Sequence, residues 1–249
     1  QEIYESGQWT NWPDLAIRNG NSTDHNISIS GGFNNIRYYL SGGALKVTGL
    51  AINDDYLRLT SRINLDTKIT NWLTIGTKTQ FSYDDRGGLS PSWYHDSGVF
   101  WLNPLTKAYD SDGNLTIYPW TSDPYFPNPL QPTLAKNTDE SNQIFSNFFG
   151  IIKFPFISGL QYQINAGIKI NNGDSNTYYG RNTKTGLESN GEANTRRLRN
   201  NSNLIENIVS YTREFGKHSL FVTGLYSFEL EKRQTASVKM EQFPHDFLN

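Results

Sequence analysis

Leu160-Gln161-Tyr162-Gln163-Ile164-Asn165-Ala166-Gly167-Ile168-Lys169-Ile170-Asn171 alternates without a break. Leu160, Tyr162, Ile164, Ala166, Ile168 and Ile170 form one set, and the intervening Gln, Asn, Gly and Lys residues form the other. A period of two puts the sets on opposite faces of a β-strand. A soluble β-sandwich alternates in the same way, so length has to separate the readings. Soluble strands average about 5–6 residues, whereas a tilted membrane strand needs about 9–11. This stretch meets the second requirement.

The pattern recurs on both sides. In 72–83, Leu73, Ile75, Thr77, Thr79, Phe81 and Tyr83 oppose Trp72, Thr74, Gly76, Lys78, Gln80 and Ser82. In 57–66, Leu57, Leu59, Ile63 and Leu65 oppose Arg58, Thr60, Arg62, Asn64 and Asp66. In 220–231, Leu220, Val222, Gly224, Tyr226, Phe228 and Leu230 oppose Thr223, Ser227, Glu229 and Glu231. Strands are expected near 25–33, 36–46, 56–66, 72–83, 144–154, 160–171, 203–213 and 218–231. Short links at 34–35, 67–71, 155–159 and 214–217 alternate with long ones at 47–55, 84–143 and 172–202. Short turns at one end and long loops at the other mark a transmembrane β-barrel.

The expected fold class is therefore all-β: an antiparallel transmembrane β-barrel segment of about eight strands with long extracellular loops. Residues 1–24 read as an extracellular loop, 25–83 as four strands and 84–143 as a long extracellular loop. Residues 144–171 and 203–231 each read as two strands, 172–202 as a solvated extracellular loop, and 232–249 as the start of another. Trp72, Tyr83, Phe154 and Phe156 fall near strand ends, where interfacial girdles sit. Eight strands could close a small barrel, but a loop of the size of 84–143 makes that uneconomical. No segment shows sustained helical periodicity, although one turn fits around Trp12-Pro13-Asp14-Leu15.

Composition agrees. Hydrophobic residues are 36% of the 249, below the roughly 45–50% of globular domains, while aromatics are 14%. That suits a wet interior and a thin apolar outer band. A net charge of -2 argues against a polyanion surface, so no nucleic-acid partner is expected. No run of 18 apolar residues occurs, so no membrane helix is expected, which has no bearing on a barrel. The absence of cysteine excludes disulfides and thiolate metal sites. No signal peptide is visible, and 242–249 carries no strand or cap pattern, so the chain reads as part of a longer one.

Chemical motifs are sparse. His25, His95, His218 and His245 have no metal-ligand spacing, and no nucleophile elbow or phosphate loop occurs. Asp110-Ser111-Asp112-Gly113-Asn114 is like the start of a calcium loop but lacks the third acidic position and the distal Glu, so it reads as a turn. Asp84-Asp85 and Asp139-Glu140 flank the long loop, but nothing fixes the separation that glycosidase chemistry requires. No enzyme, cofactor or metal is expected. The long loop is rich in rings, among them Trp93, Tyr94, Trp101, Trp120 and Tyr125, and in prolines that limit its shape. Those rings either hold sugar or peptide faces or form the loop's own small core.

Several stretches together resemble the SusC/RagA family of TonB-dependent outer-membrane transporters. Thr10-Asn11-Trp12-Pro13-Asp14-Leu15 and His25-Asn26-Ile27-Ser28-Ile29-Ser30-Gly31-Gly32 are similar to its W-x-D segment and following strand. Tyr38-Tyr39-Leu40-Ser41, Arg62-Ile63-Asn64-Leu65-Asp66 and Trp72-Leu73-Thr74-Ile75-Gly76 resemble its next strands. Asn103-Pro104, Tyr109-Asp110-Ser111-Asp112-Gly113 and Asn128-Pro129-Leu130 resemble its first large loop, and Gly159-Leu160 a later turn. Each match is short, but they fall in order across about residues 10–165. Lys46-Val47-Thr48 departs from the family's usual residues before Gly49 without affecting the fold.

The resemblance implies a barrel of 22 strands, of which these would be roughly the second to the ninth. The plug, the carboxypeptidase-like domain and the TonB box would lie upstream. It implies TonB-energised import, with TonB–ExbB–ExbD as the drive, a SusD-like surface lipoprotein as lid, and glycan or peptide substrates. Within the loops, Trp93, Tyr94, Trp101, Trp120 and Tyr125 are the candidate substrate or lid contacts. A passive porin or adhesin-like barrel and a secreted carbohydrate-binding or glycosidase β-domain remain the alternatives.

Overall fold

The computed structural model describes residues 2–7, 9–93, 98–120 and 125–246. Eight strands form one sheet in sequence order. They are β1 Asn21–Phe33, β2 Ile36–Thr48, β3 Asp55–Lys68, β4 Leu73–Asp85, β5 Lys136–Lys153, β6 Leu160–Tyr179, β7 Glu192–Phe215 and β8 His218–Glu241. Every neighbouring pair is antiparallel. Three short helices lie outside the sheet: α1 Glu2–Ser6, α2 Trp12–Ala16 and α3 Lys184–Ser189. The single turn expected around Trp12 is α2.

The register carries the alternation across the whole sheet. One transverse row reads Gly31, Tyr38, Leu65, Thr77, Phe148, Ala166, Ile205, Phe228. The next row, one residue along each strand and so on the opposite face, reads Gly32, Arg37, Asp66, Gly76, Phe149, Asn165, Glu206, Ser227. A one-residue slip would exchange the faces, so the pattern fixes the register. Leu40, Ile63, Ile164, Ile205, Phe228 and Leu230 on the first face are all exposed. Soluble proteins rarely expose a contiguous apolar patch beyond a few hundred Å², whereas lipid covers such a face without cost. Polar groups on this face bond to each other: Thr79 Oγ1 and Ser146 Oγ lie 2.8 Å apart, and the Tyr162 hydroxyl donates to Asn207 Oδ1 at 2.6 Å.

The opposite face is polar and cross-linked. Arg62 Nη2 donates to Gln80 Oε1 at 2.9 Å, and Asn165 Nδ2 to Glu206 Oε2 at 3.1 Å. Its apolar members are accommodated locally. Gly76 leaves room for the Phe149 ring, which a Cβ there would strike, and Lys78 Nζ stands 5.8 Å above that ring.

The tight links sit at one end. Asn34 turns β1 into β2 with φ 51, and Gly216 turns β7 into β8 with φ 58. In the link from β3 to β4, Thr70 Oγ1 accepts from the Trp72 and Leu73 amides. Gly159, before β6, has φ 89, and a Cβ there would collide with the Thr212 carbonyl. Only glycine meets both conditions.

The last four strands are longer than expected: 18, 20, 24 and 24 residues, against 13 or 14 for the first four. Much of 172–202, expected as loop, is strand, as are 136–143 and 232–241. The extensions of β5, β6 and β7 are largely polar and carry no hydrophobic period, whereas in β8 Ala236, Val238 and Met240 still alternate with Ser237, Lys239 and Glu241. Backbone pairing and cross-strand ion pairs hold them, with Arg197 Nε 3.1 Å from Asp174 Oδ1 and Lys239 Nζ 3.1 Å from Glu192 Oε2. The long loop correspondingly shortens to 86–135.

A charge on the apolar face tests the assignment of faces. Ile164→Arg should destabilise the folded barrel by about 2–4 kcal/mol, read by urea unfolding in lipid vesicles. Gln161→Arg, on the other face of the same strand, should leave the midpoint unchanged.

Candidate functional site

The loops at the end opposite the tight turns fold into one cap. Its core is small: Trp12, Ala16, Val99, Ala108 and Leu130, with Leu15, Ile52, Leu102 and Leu115 against it. Trp12 is 2% exposed, and its Nε1 donates to the Asn103 carbonyl at 3.2 Å. The Thr10 amide donates to the Pro104 carbonyl at 2.9 Å, and its hydroxyl donates to the Thr106 carbonyl. The Trp-Pro-Asp segment is thus the peg on which the long loop hangs.

Two Asn-Pro-Leu triplets shape that loop in the same way. Asn103 Oδ1 accepts from the Leu105 amide at 2.9 Å, and Asn128 Oδ1 from the Leu130 amide at 3.0 Å. Proline between donor and acceptor sets φ and has no amide of its own to satisfy. Asn128 is buried, and its Nδ2 also donates to the Ala108 carbonyl at 2.9 Å. Asp110 makes a third such turn, accepting from the amides of Asp112 and Asn114, both at 2.9 Å. Backbone donation, from Asn114 foremost, holds the Asp110 carboxyl below the usual carboxylate range. This is a closed turn, with its Oδ1 committed inward. Among the described residues no group of three His, Asp or Glu side chains could hold a metal.

Polar side chains stitch this loop to its neighbours. Asn53 Nδ2 donates to the Thr133 carbonyl at 3.1 Å, tying in the link between β2 and β3. Buried Gln131 accepts from the Lys184 amide at 2.8 Å through Oε1, and its Nε2 donates to the Thr116 and Asn182 carbonyls at 3.1 and 3.4 Å. The segment after β8 docks on the loop holding α3. Arg181 Nη1 pairs with Asp246 Oδ1 at 2.7 Å, the Tyr178 hydroxyl donates to the same oxygen at 2.6 Å, and the Phe243 ring meets Tyr178 edge-on at 5.4 Å. The Tyr178 hydrogen bond and the Arg181 charge lower the Asp246 pKa. A cleft of about 180 Å³ lies where these parts meet, walled by Pro127, Pro129, Pro132, Tyr179 and Thr183.

The loop's rings mostly do not form its core. Trp93, Trp101, Trp120 and Tyr125 are 40%, 59%, 48% and 84% exposed. Trp93 lies against Phe100 with centroids 5.6 Å apart. Tyr94 and His95 lie outside the described residues. Gln131, Arg181 and Asp246 escaped the sequence reading because each reaches partners 51 to 68 residues away. The carboxylates flanking the loop are engaged otherwise: Asp84 accepts from Arg58 Nε at 3.0 Å, and Asp139 lies 3.9 Å from Arg86.

This geometry has counterparts among known proteins. The TonB-dependent receptor P3 of Formosa agariphila is 27% identical over 243 residues, covering 94% of this chain and 24% of its own length. The TonB-dependent receptor SusC of Bacteroides thetaiotaomicron is 28% identical over 181 residues, covering 64% of this chain and 18% of its own. The solved RagAB peptide transporter superposes with a TM-score of 0.80 at 21% identity, over 98% of this chain and 28% of that one. The chain is SusC/RagA-like. No family model matches it. It spans about a quarter or less of the curated relatives' length. Those relatives are receptors by name, RagAB is a peptide transporter by name, and the SusC/RagA-like sheet matches a barrel segment of RagAB.

Two outcomes follow for the cap. Asn128→Ala strands the buried Leu130 amide at about 1–3 kcal/mol. Limited proteolysis should then cut within 98–135 faster, with the barrel itself unchanged. Asp246 has a lowered folded pKa, so its contribution is present above its unfolded pKa and lost as pH falls through the folded value. Below about pH 4 the Gln242 and Phe243 amides, which donate to the Ser189 and Asn190 carbonyls, should lose protection relative to pH 7 in hydrogen exchange. Arg181→Gln should weaken that protection at neutral pH.

Proposed function

We propose that this SusC/RagA-like chain is part of the channel subunit of an outer-membrane importer for oligosaccharides or peptides. The observation that carries the reading is the sheet with one continuous apolar face and one polar face, in a chain similar along most of its length to TonB-dependent receptors. Lipid accepts the first face, and a wet lumen accepts the second. The outer edges of β1 and β8 pair with no other strand among the described residues. Open edges are not tolerated in lipid, which supports a larger barrel, of 22 strands on the family resemblance. Import would be energised by TonB–ExbB–ExbD, with a SusD-like lipoprotein over the cap. The name RagAB, a peptide importer, and the name SusC support such a two-part complex. A passive porin is less favoured because the curated relatives are TonB-dependent receptors. A secreted carbohydrate-binding domain is less favoured because water would meet the apolar face.

The ligand would meet the cap first, at the exposed rings of Trp93, Trp101, Trp120 and Tyr125, with Tyr94 in the same segment. A stacked ring contributes about 1 kcal/mol, so Trp101→Ala with Trp120→Ala should lower uptake roughly thirtyfold at an unchanged outer-membrane level of the protein. Uptake should also vanish in cells lacking TonB. Normal uptake by the double variant sinks the ring assignment, and uptake that persists without TonB favours a passive pore.

A further inference from the structure

Just beyond the apolar band, the polar face of β5–β7 holds a depression of about 330 Å³. The register puts Asp139, Ser175, Arg196 and Ser237 in one transverse row, and the Arg86 amide donates to the Asp139 carbonyl at 2.8 Å, which extends that row past β4. The next row on the same face is Ser141, Gly173, Leu198. Gly173 has no side chain, and this opens the floor between the two arginines.

The charges of the depression do not cancel. Arg86 Nη1 is 3.9 Å from Asp139 Oδ1, beyond hydrogen-bond length. Asp174, the other carboxylate lining the depression, is committed to Arg197 at 3.1 Å on the opposite face. The Arg196 guanidinium makes no ion pair or hydrogen bond among the described residues, as is also true of Arg37, Arg199 and Arg233, while Arg18, Arg58, Arg62 and Arg181 each do. An isolated guanidinium beside serine hydroxyls, with a second guanidinium held loosely by one carboxylate, is a fork suited to a planar anion.

We propose that this depression binds a carboxylate carried by the transported ligand, with Arg196 as the principal donor and Arg86 as the second. The proposal rests on the import reading and adds a charge preference to it. Two ligand types present such a group, an acidic peptide and a uronic-acid oligosaccharide, and the probes below separate them. Binding is measured on the complete barrel in detergent, so it does not depend on energised transport and can fail while import stands.

The test compares triglutamate with triglutamine, and trigalacturonate with neutral trigalactose, by calorimetry. One acidic probe should bind more tightly than its neutral counterpart, and rising salt should erase the difference. Arg196→Gln should weaken that acidic probe roughly tenfold and leave the neutral one unchanged. Gly173→Val, whose Cβ has only ordinary contacts nearest at 3.8 Å, fills the floor without removing charge and should weaken the same probe. If neither acidic probe is preferred, or if Arg196→Gln keeps the preference, the proposal is overturned.

Discussion

Everything in this protein depends on the unbroken backbone ladder from β1 to β8. A bilayer offers no partner to a peptide group, so each strand that crosses it must satisfy its amides and carbonyls through neighbours. The side chains are then free to differ completely between the faces, because neither face has to hold the sheet together. That freedom explains why one row is Tyr, Leu, Phe and Ile while the adjacent row is Arg, Asp, Asn and Glu. It also explains the self-satisfied pairs Thr79–Ser146 and Tyr162–Asn207 on the apolar face: a hydroxyl there needs a partner within the protein.

The cap obeys the opposite rule. Its hydrophobic core is only a few side chains around Trp12 and Leu130, too small to fix loops of this length by burial alone. Its shape comes from side-chain amides that bind backbone. Asn103 and Asn128 close local turns, and Gln131 and Asn53 join segments distant in sequence. Such amides carry both donors and acceptors, so one residue can tie two strands of loop. Trp93, Trp101, Trp120 and Tyr125 stay exposed beside this scaffold.

The sequence was legible where the environment has two faces and illegible where it has one. Between Leu160 and Asn171 lipid and lumen impose opposite chemistry on successive residues, and the strand shows plainly. Between Asn172 and Thr177 polar residues occupy both faces, and an equally regular strand looks like loop. The triplets at Asn103 and Asn128 were visible as motifs, yet their role as amide-accepting turns needed the geometry. Trp101, Trp120 and Tyr125 are exposed, and the core is left to Trp12 and aliphatic residues. Arg181 and Asp246 had no local signal at all, since a salt bridge across 65 residues leaves no period behind.

The unequal strand lengths shape the rim of this segment. β8 has 24 residues and β4 has 13, a difference of 11. With the tight turns level at one membrane surface, that surplus projects outward by about 35 Å along the strand, or about 25 Å in height at ordinary barrel tilt. The rim is therefore a slope, low beside β1–β4 and high beside β7–β8.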